Sequence, residues 1–387
     1  MRDDHHASRA QLLGIGTAVP SHSVDQRQSL QFANNALQGL DLRQKILAAL
    51  YRRSGIDRRG SVLIDDDRLD VQDGGYSQFF HPDPGGPAVN PTTSQRMRRY
   101  GAEAETMALA AARSAMRNAD ATAAQFTHLI TVTCTGFEAP GFDLALIDQL
   151  NLPDTIQRTQ VGFMGCHGMM NALRVADAFV HRAQPSEPAT VLVVSVELCT
   201  LHFQFSDQAD DIISGAIFAD GGSAAVVGRH LTNDASDACP PTDQSRCPNR
   251  LIASGSTVVP DTADAMTWNI GDHGFRMTLS TTVPALIQQH LRPFLVEWLN
   301  RQNMRLEDIA GWAVHPGGPR ILNAVEAALS LSPDALASSR YVLQHHGNMS
   351  SATMLFVIKE MHRRSIPGPY LMLGFGPGLT IEVALMA

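Results

Sequence analysis

Apolar residues along this chain fall into two kinds of run. Short unbroken runs such as THLITVTCTGF and PATVLVVSVEL fit strands buried on both faces, while longer stretches with apolar positions every three or four residues fit helices packed on them. LLGIGTAVP reads as an opening strand and turn, TTSQRMRRYGAEAETMALAAARSAM as an alanine-rich helix behind capping threonines, and GAIFADGGSAAVVG as a further strand carrying a glycine turn. The pattern lapses in NDASDACPPTDQSRCPNR, Asn233 to Arg250, which is rich in Pro, Asp and Ser. It resumes with the strand LIASGSTVVP, a long helix over VPALIQQHLRPFLVEWL, a strand and turn in GWAVHPGGP, a helix in RILNAVEAAL and a closing strand pair around YLMLGFGPGLTIEVALM. The alternation predicts an α/β architecture of sheets covered by helices, divided at the lapse into halves 1–240 and 241–387. Each half is expected to carry a strand that turns through a chemically interesting residue into a helix, GFMGCHGMMNAL in the first and HHGNMSSATMLFVI in the second, a pairing that an internal duplication would explain.

Composition removes several classes of function. With 387 residues, 44% of them hydrophobic, the chain can bury a large core. The opening MRDDHHASRA has no apolar stretch behind it, and no run approaches the roughly 18 apolar residues of a membrane span, so cytoplasmic residence is expected. The 30 basic and 38 acidic residues give a net charge of -8, which argues against a general nucleic-acid binder. Cys134, Cys166, Cys199, Cys239 and Cys247 are odd in number and form no CxxC pair, so neither a disulfide framework nor a zinc site is suggested. His345 and His346 are adjacent and would point apart on a strand, and Asp65 to Asp67 read as a solvated acidic turn, so neither has metal-ligand spacing. No phosphate-cradling GxxxxGK loop or dinucleotide fingerprint occurs, so no nucleotide, redox cofactor or metal is expected.

Candidate chemistry centres on Cys166. Gly162, Gly165 and Gly168 permit a tight turn that lifts the thiol out of a strand and places it at a helix start, where unpaired amides and the helix dipole bias it toward thiolate. His315, ending the apolar run of AVHPGGPR, and Asn348, in HHGNMSSA directly before a helix, supply a base and a neutral donor. Each also has a purely structural reading: a buried small hydrophobe, a satisfied core histidine and a helix cap. Together, each at a junction beside glycines, they favour a site.

GFMGCHGMMNALRVADAF, IFADGGSAAVVG, WAVHPGGPRILNAVEAAL, HHGNMSSATMLFVI and the closing GFGPGLTIE resemble, in order and spacing, the type III polyketide synthases, the chalcone synthase-like branch of the thiolase superfamily. The resemblance covers nearly the whole chain. It implies a homodimer of the duplicated αβαβα thiolase fold with two pseudo-equivalent halves, and an acyltransferase that loads an acyl-CoA starter onto Cys166, decarboxylates malonyl-CoA and extends the chain with the enolate. On that match His315 and Asn348 form the carbonyl-binding, decarboxylating pair and Phe218 guards the tunnel mouth. Decarboxylation builds charge on a thioester oxygen, which two such donors suit.

The resemblance also implies further positions. Arg53, Arg58 and Arg59 in YRRSGIDRR match a cluster that binds coenzyme A phosphates, although two other basic positions of the family fall here on Ile46 and Ala49. Gly317 and Gly318 would admit the pantetheine arm, and Gly374, Phe375, Gly376, Pro377 and Gly378 would shape the cyclisation cavity. Where the family usually joins a threonine, a glutamate and a serine in an aldol-directing water network, this chain has Cys134, Glu197 and Ser350. Thiols hydrogen-bond weakly, so 2-pyrones are expected to dominate and Cys134→Thr to move products toward resorcinols. Cavity positions hold Cys199, His202, Trp268 and Met277, with Trp268 placed to close one route. VTCTGFEAPG, ELCTLH and WNIGDHGF resemble the bacterial branch that makes alkylpyrones and alkylresorcinols from fatty acyl-CoA starters.

Other readings stay open at this level. A ketoacyl synthase III-like condensing enzyme also uses Cys, His and Asn but would take acyl carrier protein. A Cys-His hydrolase would release acid without malonyl-CoA, a type III synthase with a small starter would ignore long acyl chains, and a non-catalytic scaffold would need none of the three reactive residues.

Overall fold

The computed structural model describes residues 10–36, 41–64, 79–80, 89–184, 186–206, 208–229 and 249–387. The acidic turn at Asp65 to Asp67, Cys239, Cys247 and most of the Pro- and Ser-rich lapse lie outside the described residues.

Two mixed sheets organise the chain. The first has five strands, β1 (Gln11–Ala18), β4 (His128–Thr133), β5 (Gln157–Gly162), β6 (Val191–Leu198) and β7 (Asp220–Gly228), in the order β1-β7-β6-β4-β5 with β4 parallel to β5 and β6. The second has β8 (Leu251–Val258), β11 (Gly311–Val314), β12 (Tyr370–Gly376) and β13 (Thr380–Met386), in the order β11-β12-β13-β8 with β11 and β12 parallel. Two short ribbons, β2 (Ser23–Asp25) with β3 (Arg58–Gly60) and β9 (Met266–Gly271) with β10 (Gly274–Leu279), sit outside them.

The unbroken apolar strands follow from burial on both faces. Ile130, Val132, Val191 and Val193 face a middle layer with α5 (Gly168–Arg182) and α10 (Thr353–Arg363), and Tyr370, Met372, Ala384 and Met386 of the second sheet meet the same layer from the other side. Their neighbours Leu129, Leu192 and Val194 point outward to α3 (Thr93–Asn118). Leu371, Leu373, Val383 and Leu385 point outward to α7 (Val283–Asn300) and α8 (Pro319–Leu329). Helix, sheet, helix, sheet, helix is the αβαβα layering of the thiolase fold. Helix α3 starts on a capping box between Thr92 and Gln95, as the threonines predicted.

Three local expectations change. Gly221 and Gly222 lie inside β7, not in a turn, because α6 (Ala209–Ile217) occupies the first part of that stretch. A Cβ on Gly222 would meet Met107 Cγ of α3 at 2.8 Å, and one on Gly221 would strike Met349 Sδ on the opposite face, so the pair admits close packing on both sides of the sheet. His345 and His346 end helix α9 (Ala337–His346), so they do not lie on a strand, and the second half reaches Asn348 from a helix. Helices α1 (Gln26–Ala36) and α2 (Asp41–Arg53), strand β5 and the β9–β10 ribbon escaped the apolar pattern because each is short or half exposed.

Candidate active site

Edge strand β5 leads into the nucleophile turn. Phe163 and Gly165 adopt positive φ values of 56° and 71°, and a single helical turn over Gly165–His167 then carries Cys166 to the start of α5. Gly165 is required twice over: its φ favours glycine, and a Cβ would come within 2.5 Å of Pro377 Cδ. Cys166 is half-buried and lines a narrow cavity with Cys134, Cys199, Phe218, Trp268, Met277, Ser350 and Pro377 among its walls.

His315 stands just beyond the end of β11, its backbone N–H donating to Leu373 O at 2.8 Å, and its side chain is buried. Asn348 follows Gly347, whose φ of 73° ends α9 and whose Cβ would crowd Ala219 Cβ at 2.9 Å. The backbone of Asn348 is then tied on both sides of Phe218: Asn348 N–H donates to Ile217 O and Ala219 N–H to Asn348 O, each at 2.9 Å. Its side-chain Oδ1 accepts from Ser350 N–H at 2.9 Å, and its amide lies beside both the thiol of Cys166 and the ring of His315. The three residues therefore converge, although neither ring nitrogen of His315 completes a well-aligned hydrogen bond.

Electrostatics correct the expectation of a resting thiolate. Burial pushes the Cys166 thiol up to about 12, against the opposing help of Ser350 and Asn348. Burial, aided by the nearby His167, pushes His315 down to about 3. At neutral pH the pair rests as thiol and neutral imidazole, and the helix start does not outweigh desolvation.

The glutamate network also differs from expectation. Glu197 is buried, with burial raising its pKa, and it accepts from Thr135 Oγ1 at 2.7 Å, from Cys134 N–H at 3.0 Å and from the hydroxyl of Ser351. Its serine is thus Ser351, whereas Ser350, at φ 46°, turns its side chain toward Cys166. The Cys134 thiol accepts from Gly165 N–H at 3.1 Å and so braces the nucleophile turn.

A second narrow cavity adjoins the first, and Cys199, Phe218, Trp268 and Met277 line both. His202 borders it as a pinned neutral ring: Nδ1 accepts Phe275 N–H at 2.9 Å, so Nε2 carries the hydrogen donated to Thr135 O at 2.7 Å. Burial holds it at about 3, which removes it as a base. From the GFGPG loop Pro377 lines the cavity of Cys166, while Phe375 faces the outer core behind the second sheet. Gly374 and Gly376 instead make room for His167, whose ring nitrogen Nε2 would lie 2.5 Å from a Cβ on Gly376, and Gly378 turns at φ 89°.

Of the arginines, Arg53 and Arg58 are exposed, but Arg59 is buried and donates to Phe218 O at 2.5 Å, so it is withdrawn from phosphate binding. Gly317 lies beside the His315 ring, and Gly318, at φ 149° with open space above its Cα, caps α8. His167, Thr135 and Ser351 were not foreseen; each adjoins a predicted residue, and only burial reveals their contacts. Among the described residues no cluster of His, Cys, Asp or Glu could hold a metal.

Residues 1–230 match the N-terminal domain, and residues 250–387 the C-terminal domain, of chalcone and stilbene synthases. The alpha-pyrone synthesis polyketide synthase-like protein Pks18 of Mycobacterium tuberculosis is 30% identical over 375 residues, 95% of this chain and 88% of that protein. The crystal structure of PKS-I from the brown alga Ectocarpus siliculosus superposes with a TM-score of 0.85 at 28% identity over 99% of both chains. The C-terminal type III polyketide synthase domain of Steely1, a type I/III hybrid from Dictyostelium, gives 0.84 at 25% identity, covering 98% of this chain and 99% of that one. With both domain matches in place and the Cys, His and Asn brought together as the motifs required, the chain belongs to the chalcone and stilbene synthase family of type III polyketide synthases, acyltransferases that work on CoA thioesters.

Proposed function

We propose that this enzyme extends a fatty acyl-CoA starter with malonyl-CoA and closes the product chiefly to alkylpyrones. In loading, Cys166 gives its proton to His315 as the sulfur attacks the acyl carbonyl, and that proton leaves on the coenzyme A thiol. In extension, malonyl thioester loses carbon dioxide, and the negative charge passing to its carbonyl oxygen meets the amide hydrogens of Asn348 and the ring N–H of His315. The enolate carbon then attacks the Cys166 thioester, and the thiolate is released. Arg53, Arg58, Gly317 and Gly318 remain the proposed coenzyme A contacts, and Phe218 the gate.

The observation that carries the fatty acyl reading is the second cavity, continuous in its walls with that of Cys166 and rich in Phe32, Leu63, Phe203 and Phe275. The pyrone reading draws on the name of the mycobacterial relative. A homodimer is supported by β5, an edge strand directly before the nucleophile turn, and by Phe137 and Met164 near it, 66% and 38% exposed. No helix among the described residues is long and apolar enough to cross a membrane. The two halves, 1–240 and 241–387, are proposed as duplicated units. Mass spectrometry of products from short- and long-chain acyl-CoA starters with malonyl-CoA tests the whole reading. Long-chain pyrones are expected; product only from short starters rejects the fatty acyl assignment, and free acid formed without malonyl-CoA would mark a hydrolase.

A further inference from the structure

Arg59 carries a charge into the interior and has no carboxylate within ion-pair distance among the described residues. It is 4% exposed, its guanidinium donates to Phe218 O at 2.5 Å, and its Nε has no hydrogen-bond partner. Phe218 is the residue whose neighbours exchange backbone hydrogen bonds with Asn348, and a Cβ on Gly347 would sit 3.3 Å from Arg59 Cβ. Strand β3 thus presses on the segment that carries the amide. It is fastened there a second time, since Asp57 N–H donates to Gln344 O at 2.8 Å and Gln344 Nε2 to Asp57 Oδ2 at 2.7 Å. On the far side Asp220, two residues beyond Phe218, accepts from Val62 N–H and Thr200 N–H, each at 2.8 Å, and its carboxylate senses the charge of Arg59.

We propose that Arg59 is a positioning residue for decarboxylation: its guanidinium fixes the Phe218 carbonyl and, through the Phe218–Asn348 backbone bridge, the direction in which the Asn348 amide points. A buried cation with no direct counter-ion costs solvation free energy, and its one completed hydrogen bond goes to the carbonyl that joins gate and amide. Arg59 borders the second cavity and not that of Cys166, so a short starter that stays beside the nucleophile does not reach it. With such a starter, loss of Arg59 loosens one donor without disturbing thioester formation.

This inference rests on the polyketide synthase reading, and the experiment separates the two. Starter acylation of Cys166 is followed by intact-protein mass, and malonyl-CoA decarboxylation by release of labelled carbon dioxide, in the wild type, Arg59→Met and Arg59→Lys. Failure of the wild type to release carbon dioxide rejects the reading itself. With an active wild type, Arg59→Met is expected to acylate normally yet lose roughly 10- to 100-fold in decarboxylation kcat at nearly constant KM, the scale set by small displacements of catalytic groups. Arg59→Lys, which can still donate one hydrogen bond to the carbonyl, is expected to recover most of that loss. Wild-type kcat in Arg59→Met overturns the proposal, and so does a rise in KM alone, which would return Arg59 to phosphate binding. Should Arg59→Met not fold, Arg59→Gln, uncharged and too short to reach the Phe218 carbonyl, decides by the same criterion: a roughly 10- to 100-fold fall in decarboxylation kcat sustains the proposal, and either an unchanged kcat or a raised KM alone overturns it.

Discussion

The side-chain oxygen of Asn348 accepts the backbone N–H of Ser350 at 2.9 Å, which fixes the amide beside Cys166 and His315. An amide held this way can donate to a developing oxyanion and cannot compete for protons. Asn348→Ala should leave acylation of Cys166 intact and cost decarboxylation about 2.7–4 kcal/mol, as loss of an oxyanion donor does. Asn348→Asp is the sharper variant. Its carboxylate can still accept from Ser350 but has no hydrogen to give, so it should be at least as poor as alanine. Carbon dioxide release near the wild-type rate in Asn348→Asp would remove the donor role.

The resting state of the nucleophile is readable by alkylation. With the thiol of Cys166 pushed up to about 12 and the imidazole of His315 down to about 3, the thiolate fraction rises tenfold per pH unit throughout the neutral range. The logarithm of the iodoacetamide rate should therefore climb with a slope of about 1 from roughly pH 6 to 10 and show no plateau. A plateau beginning near pH 6 would instead reveal a preformed thiolate–imidazolium pair. His315→Ala should leave the slope unchanged, because the neutral ring supplies no charge to the resting thiol.

How far the sequence could be read depended on whether a residue's partner was local. Cys166, His315 and Asn348 sit beside glycines whose turns are written into neighbouring residues, so their roles as a set were legible. The glycine pair at Gly221 and Gly222 was not, because what it accommodates, Met107 and Met349, lies more than a hundred residues away on either side. Arg59 read as one of three arginines for coenzyme A phosphates, and only the pairing of β3 with β2 and its packing on α9 turns it inward. Ser350 and Ser351 are adjacent and chemically alike. The positive φ of Ser350 sends one hydroxyl to the nucleophile and the other to Glu197, a choice no spacing rule encodes.

That exchange of serines alters the expectation for Cys134. Its thiol braces Gly165, while Glu197 already has Thr135, Ser351 and the Cys134 backbone amide as partners. Cys134→Thr should therefore leave the ratio of pyrone to resorcinol unchanged, since a hydroxyl at that place meets Gly165 rather than the carboxyl. Ser351→Ala should act instead, leaving a buried carboxyl short of a donor, raising its pKa further and lowering stability by about 1–3 kcal/mol. Product chromatography and thermal unfolding of both variants check the pair. A shift toward resorcinols in Cys134→Thr would restore the original assignment.

Trp268 stands in the wall between the two cavities, and its orientation is fixed. Its indole N–H donates to Cys134 O at 2.7 Å, and its ring meets His202 and Phe275 edge-on at centroid distances of 5.5 and 5.9 Å. His202 is itself pinned through both nitrogens, so the indole cannot swing aside without breaking a chain of hydrogen bonds. A rigid wall limits how much acyl tail fits beside Cys166. Removing it in Trp268→Ala should widen the passage between the cavities and favour starters longer by a few methylenes. At about 0.8 kcal/mol for each buried methylene, two more would raise kcat/KM for the longer starter roughly 10-fold relative to the shorter one. Trp268→Phe keeps an aromatic wall and loses only the hydrogen bond, so it should hold the wild-type chain-length preference. Competition between two acyl-CoA starters in one reaction, read as the ratio of their pyrones, gives the answer directly. An unchanged ratio in Trp268→Ala would mean that the acyl tail leaves the Cys166 cavity by some other wall.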